Sequence, residues 1–278
     1  MISLEFKGEI YVWELLKYEF KATGKWYGIL FTVLAIASIL LGLMVSNITS
    51  GGASLQNSDT FGIIYGFFSI IFFSACTALA ISNLVITVRR FYQNIYGREG
   101  YLTWTLPANA HQIILSKMTM ATIWYIASIL GIIFSFIIMI AIVAIGSGVD
   151  FFQQFGMLLS YIPTVTWIQF LFYFILSSIS GVLFLYLAIS IGQLFQNHRV
   201  LMAFVSVFVL WIIFGTVGNA LYNANPFSYL INSIYSISYH GTPAMAFSYL
   251  AAYIYEIIKI VLFYLGIYYI TQTKLNLE

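Results

Sequence analysis

Two side chains in this sequence sit where charge is most expensive to hold. Glu256 and Lys259 stand three residues apart in an otherwise uncharged run over 247–270. That spacing puts both on one face of a helix, close enough to pair. In a bilayer an isolated charge costs about 2.5–3.5 kcal/mol on insertion scales, so the face that carries them must turn toward protein or water. Two roles fit: a structural pair that fixes helix packing, or an anchor for a gate or a polar substrate group. Asn83 and Asn219 are the other polar residues deep in apolar runs, with Ser177, Ser178 and Ser180 beside Gly181. Ser177 and Gly181 form a small-xxx-small pair, as do Ser38 and Gly42, a pattern that favours close helix contacts. A metal or hydrolytic enzyme needs convergent ligands or a nucleophile with its base. The three histidines, His111, His198 and His240, are scattered, and no H-E-x-x-H, C-x-x-C or G-x-S-x-G occurs. The sequence therefore points away from an enzyme and from a bound metal. The single cysteine, Cys76, forms no disulfide framework.

The elements that position these residues follow from composition. Of 278 residues, 62% are hydrophobic and 7% charged, with a mean hydropathy of +0.95. A soluble domain carries about 25% charged residues, so this chain is expected to be an all-α polytopic membrane protein. A span needs about 20 apolar residues to cross roughly 30 Å of hydrocarbon. Six runs satisfy that length, at 26–45, 61–88, 119–145, 165–195, 201–220 and 247–270, the fourth with a start blurred by the semi-apolar stretch from Phe151. They make one transmembrane domain over 1–278, without repeats or low-complexity tracts. The first run is longer than a signal-peptide core, and its leader mixes Lys with Glu, so it reads as a retained helix.

The charges orient the spans. Lys7, Lys17, Lys21 and Lys25 precede the first run, while Arg89, Arg90, Arg98 and Lys117 lie between the second and third. Arg199 separates the fourth and fifth, and Lys274 follows the sixth. Thus ten of the eleven Lys and Arg residues fall on alternate loops and the termini, and only Lys259 stands apart. The intervening loops carry Asp59 and Asp150 and no basic residue. Positive-inside reasoning predicts both termini and the even-numbered loops in the cytoplasm.

Two segments on that side have patterns of their own. In the leader, residues 1–25, Glu14, Lys17, Lys21 and Lys25 share a helix face opposite Val12, Leu16 and Phe20. This predicts a helix on the membrane surface, joined to the first span near Gly24. Glu19 falls on the apolar side, where it is either a simple part of the anchor or a partner for a basic group. The second segment, 89–117, is too long for a tight connection and too apolar for a solvated linker. Pro107 divides it. Residues 98–106 are expected to form a short helix or extended turn, and Asn109 with Gln112 three residues on reads as a capping box opening a second helix. Leu102, Trp104 and Leu106 need a surface to bury against, either the span ends or another protein.

The string REGYLTWTLPANAHQIILSK, residues 98–117, resembles the cytoplasmic loop of the type 2 permeases of ABC-type exporters. That pattern has an Arg-Glu-Gly run, a Leu-x-x-x-Leu-Pro step and a Lys at the return to the bilayer. Arg98, Glu99, Gly100, Leu102, Leu106, Pro107, Leu115 and Lys117 match it here. The leader LLKYEFKATGKWY, residues 15–27, also resembles the start of small bacterial permeases of that family, as does the order of parts.

The resemblance implies a permease subunit of an ATP-driven exporter in the cytoplasmic membrane. A separate cytoplasmic ATP-binding subunit would carry ATP and Mg and dock on the 98–117 loop, the coupling helix. A second permease chain, identical or different, would complete the pathway. No G-x-x-x-x-G-K-[ST] occurs in the sequence, in agreement with ATP hydrolysis elsewhere. Arg98, Glu99 and Leu102 are then expected to transmit the partner's movement, with Asn83 and Asn219 facing the pathway. The apolar, uncharged loop 221–246 is expected to form short re-entrant or interfacial helices, starting at Asn225–Pro226 and ending at Gly241, and the resemblance implies the re-entrant form. The wealth of Tyr and Phe suits a hydrophobic or amphipathic substrate, such as an antimicrobial peptide, a drug or a lipid-like molecule. Nothing points to nucleic acid. Two other readings stay open on the residues alone: an ATP-independent carrier or channel built on Glu256 and Lys259, and a peptide-sensing or immunity subunit.

Overall fold

A chain this apolar must satisfy its backbone polar groups internally, and helices do so within one segment. The computed structural model describes residues 2–49, 59–105, 109–161, 163–220 and 243–273, and every regular element among them is an α-helix. In chain order they are α1 (Ile2–Thr49), α2 (Asp59–Ile95), α3 (Arg98–Thr105), α4 (Ala110–Gly146), α5 (Phe151–Ser160), α6 (Thr164–Gly192), α7 (Arg199–Ala220) and α8 (Pro243–Thr273). Six of them are long and apolar enough to cross a membrane, namely α1, α2, α4, α6, α7 and α8. Each contains one of the six runs expected from the sequence, or most of it. The chain is a multi-pass helical membrane protein.

Three local features differ from expectation or sharpen it. First, α1 runs through Gly24 without a break. One helical glycine costs only about 1 kcal/mol. Here Phe20 and Tyr27, on either side of Gly24, both stack on Trp124, at ring-centroid distances of 5.1 and 4.1 Å. Second, the blurred start of the fourth run resolves into two helices. Asp150 Oδ1 accepts the N–H groups of Phe152 (3.0 Å) and Gln153 (3.2 Å), capping the short α5. Gly148, at φ 71°, makes the preceding turn that a side chain would resist. Third, α4 starts at Ala110 and continues as one helix of 37 residues, about 55 Å at 1.5 Å per residue, well beyond the hydrocarbon thickness. The loop segment after Pro107 is therefore the first turns of a span.

The chain divides into two compact units. Unit 2 comprises residues 18–85 and 124–160. In it α1 and α4 run parallel along a seam of small residues. Gly131 faces the ring of Phe31, Gly146 faces Ser46, and a Cβ on Gly42 would lie 3.1 Å from Ile142 Cβ and 3.2 Å from Met139 O. Ser38 is fully buried, so the Ser38–Gly42 pair is a close contact as expected. Helix α2 packs antiparallel to α4, with Phe72 edge-on to Phe136 at 5.1 Å. Asn83 Nδ2 bonds to Trp124 O (3.0 Å) and Ser128 Oγ (2.8 Å).

Unit 1 comprises residues 1–17, 86–123 and 161–278. Helix α6 is its centre, and both α7 and α8 pack against it. Gly192 at the end of α6 lets α7 approach so closely that a Cβ there would sit 2.7 Å from Ala203 Cβ. Likewise Gly266 on α8 leaves room for Leu187. The second small-xxx-small pair behaves differently: a Cβ on Gly181 would meet open space, so no helix approaches it closely among the described residues.

Candidate functional site

Two constellations in unit 1 carry the residues singled out from the sequence. The first is the corner formed by the end of α2, all of α3 and the start of α4. Helix α2 closes when the Gly97 N–H bonds to Tyr92 O at 2.9 Å, where a Cβ would press on Gln93 O at 3.1 Å. Glu99 stands in the first turn of α3, favourably placed for the helix dipole. Trp104 is half-buried, and its indole Nε1 donates to Ile95 O at 3.2 Å, tying α3 back onto α2. The opposite side of α3 is bare: Leu102 is 73% exposed, and Glu99, Tyr101 and Thr105 are exposed too. Asn109 precedes α4 and its N–H donates to Gln112 Oε1 at 3.0 Å, the backward half of the expected capping box. The side chain of Arg98 and residues Leu106 and Pro107 lie outside the described residues.

Beneath that exposed face the corner is rooted in the core of the unit. Phe91, Ile95, Tyr96, Ile113 and Ile114 are buried in one cluster with Leu183, Tyr186, Phe263 and Ile267 of α6 and α8. Phe91 stacks on Tyr186 at 3.7 Å. Tyr186 donates to Lys117 O at 3.2 Å, and Tyr96 donates to Ser190 Oγ at 2.9 Å. Burial pushes the Tyr96 phenol up to about 12 while the Ser190 hydroxyl works the other way, so at neutral pH this donor keeps its proton. His111 stacks on Tyr268 at 4.1 Å, and its Nδ1 lies 2.7 Å from Tyr264 Oη. The corner is thus fixed to α6 by two phenols and to α8 by an imidazole. Leu115 is exposed and Lys117 is buried, its carbonyl engaged as above.

The second constellation surrounds Glu256. The buried stripe Ala252, Glu256, Phe263 and Ile267 shows that the charged face of α8 turns toward protein, as its cost requires. Glu256 is 2% exposed. Its Oε1 pairs with Lys259 Nζ at 2.7 Å, its Oε2 accepts from Ser180 Oγ at 2.5 Å, and Tyr173 Oη lies 3.5 Å from Oε1. Lys259 also rests 4.8 Å from the centroid of the Tyr255 ring. Tyr255 in turn donates to Phe214 O of α7, and Tyr253 donates to Gln169 O of α6 at 2.8 Å. The carboxylate is therefore held from two helices and joined, through Lys259 and Tyr255, to a third. Chemically this is a satisfied ionic clamp.

Of the other intramembrane candidates, Ser180 reaches Glu256. Asn83 is buried in unit 2, with its amide engaged by α4. Asn219 lies in the last turn of α7, and its side chain is outside the described residues. In the leader Lys17 and Lys21 are exposed, while Glu19 is partly buried and its carbonyl accepts the Thr23 hydroxyl at 2.8 Å. Asn225, Pro226 and Gly241 lie outside the described residues. Sequence reasoning missed Tyr96, Tyr173, Tyr186, Ser190, Tyr255, Tyr264 and Tyr268. The i,i+4 spacing of Tyr264 and Tyr268 and of Tyr186 and Ser190 was the available signal. Among the described residues no group of His, Cys, Asp or Glu is arranged to hold a metal.

No protein-family model, curated protein or solved structure matches this chain.

Proposed function

We propose that this chain is the permease subunit of an ATP-driven exporter in the cytoplasmic membrane. It would move a hydrophobic or amphipathic compound while a separate subunit hydrolyses ATP. One observation carries the reading. Helix α3 is bare on one side, with Leu102 and Tyr101 outward, and is anchored on the other into the core shared with α6 and α8. A short helix of that kind, placed between two spans, is a handle: it offers a partner apolar area and delivers force to the spans. Glu99 and Leu102 form its contact face, and Trp104, Tyr96 and His111 carry the movement inward. On this reading the basic termini and loops face the cytoplasm. The exposed Lys17, Lys21 and Lys25 add positive charge at that end of α1, and a second permease chain completes the pathway.

Purification of tagged chain from native membranes tests this. The wild type should bring down a protein that binds and hydrolyses ATP, and Leu102→Asp should release it while the chain still folds. A preparation that transports substrate with Leu102→Asp and without nucleotide overturns the proposal.

A second reading, an ATP-independent carrier, draws on the nearly complete burial of Glu256. It requires the carboxylate to leave its clamp during turnover. Transport that survives removal of ATP but is abolished by Glu256→Gln favours it.

A further inference from the structure

Apart from both constellations, unit 1 holds a cavity of about 720 Å³ where the end of α2 meets the α6–α7 corner. Tyr92, Gln196, His198, Arg199, Leu201 and Phe204 line it. The lining is divided by chemistry. Gln196, His198 and Arg199 come from the corner, and none of the lining residues is a carboxylate. His198 adopts φ 61°, a left-handed conformation that a non-glycine residue rarely takes, and its carbonyl accepts the Met202 N–H at 2.9 Å. The corner is thereby folded tightly, with His198 and Arg199 both on the cavity.

The other half of the lining leads into the hydrocarbon. Leu201, Phe204, Phe208 and Trp211 recur at spacings of three and four, and each is more than half exposed. They run down one side of α7 from the cavity mouth, within a broader exposed apolar surface that includes Val200 and Ile212. From 201 to 211 they extend about 15 Å at 1.5 Å per residue, one leaflet's share of a roughly 30 Å hydrocarbon core. A basic mouth continuous with an apolar stripe one leaflet long has the form of a phospholipid: phosphate at the mouth, acyl chain along the stripe.

We propose that this cavity binds one anionic phospholipid from the bilayer, its phosphate on Arg199 and His198 and an acyl chain along Leu201, Phe204 and Phe208. A soluble anion would make no use of the stripe, and a zwitterionic lipid would bring its own cation beside Arg199. The proposal stands independently of the exporter reading.

Native mass spectrometry of the detergent-solubilised full chain tests it. The probes are phosphatidylglycerol and phosphatidylcholine of equal chain length, with inorganic phosphate as a separate competitor. One equivalent of phosphatidylglycerol should be retained in preference to phosphatidylcholine. Arg199→Gln should lower that preference about fivefold, the effect of one basic residue near an anionic surface. Arg89→Gln, outside the cavity, should preserve it, and Phe204→Asn should weaken retention of both lipids. Equal retention of the two lipids by the wild type overturns the proposal. So does an equal loss in Arg89→Gln and Arg199→Gln, which would mark diffuse surface charge, and so does displacement by millimolar inorganic phosphate. If Arg199→Gln fails to fold, the wild-type preference and the Phe204→Asn result decide the matter.

Discussion

Lys259→Met removes the one formal charge that balances Glu256 and keeps the bulk of the lysine stem. Oε1 of Glu256 then loses a partner at 2.7 Å in a position 2% exposed. Breaking a buried ion pair from one side costs about 3–5 kcal/mol. Part of that is offset, because Oε2 keeps the Ser180 hydroxyl at 2.5 Å, and because polar contacts in membranes average about 0.6 kcal/mol with a maximum near 1.7. The expected loss is about 2–3 kcal/mol. Glu256→Gln should cost less, about 1 kcal/mol, because the Lys259 side chain is 17% exposed and retains the Tyr255 ring. The double variant, with no buried charge left unpaired, should fall well short of the sum. Reversible unfolding in mixed micelles across the four proteins of this cycle gives the coupling directly. Lys259→Met within about 0.5 kcal/mol of wild type, or strict additivity, would refute the ionic clamp, since that is the scatter of independent sites.

Further predictions follow from packing. Gly192→Val should destabilise unit 1 by about 1–3 kcal/mol through overpacking, because its Cβ would meet Ala203 backbone atoms at 2.8 Å; thermal unfolding reads this out. Asn83→Leu should cost about 1–2 kcal/mol by removing two hydrogen bonds between α2 and α4, with transport retained once the protein folds. Gly42→Leu should fail to accumulate in membranes whereas Gly181→Leu should accumulate normally; expression in parallel compares them, and equal outcomes would contradict the α1–α4 seam. His111→Phe keeps the stack on Tyr268 and loses the Tyr264 bond, so folding should persist; under the proposed exporter function, transport should slow relative to the partner's ATP hydrolysis.

The spans were legible because apolar length is a property of each segment alone. Asn109 with Gln112 and Ser38 with Gly42 were legible for the same reason, since each signal lies within one helical turn. Partners across the fold were not. Glu256 announces its cost in the sequence, but nothing near it names Ser180 or Tyr173, which reach it only when α6 and α8 pack. Gly181 carries the same pattern as Gly42 and faces open space, so a small-residue pair marks a permitted contact and not a contact made. The two units were also hidden. Three of their four boundaries, at 17–18, 85–86 and 123–124, fall inside α1, α2 and α4, where no linker composition marks them. At Gly24, where a joint was expected, α1 runs on as one helix, with Phe20 and Tyr27 stacked on Trp124.

The proposed function requires the bare face of α3 to be the seat of an ATP-hydrolysing subunit. A photo-reactive amino acid placed at Leu102, with Leu158 on α5 as control, reads that contact in native membranes. The expected result is a crosslink from position 102, and not from 158, to a protein carrying a nucleotide-binding Walker sequence. Efficient crosslinking from 102 to lipid alone, in membranes where the chain is transporting, would contradict it.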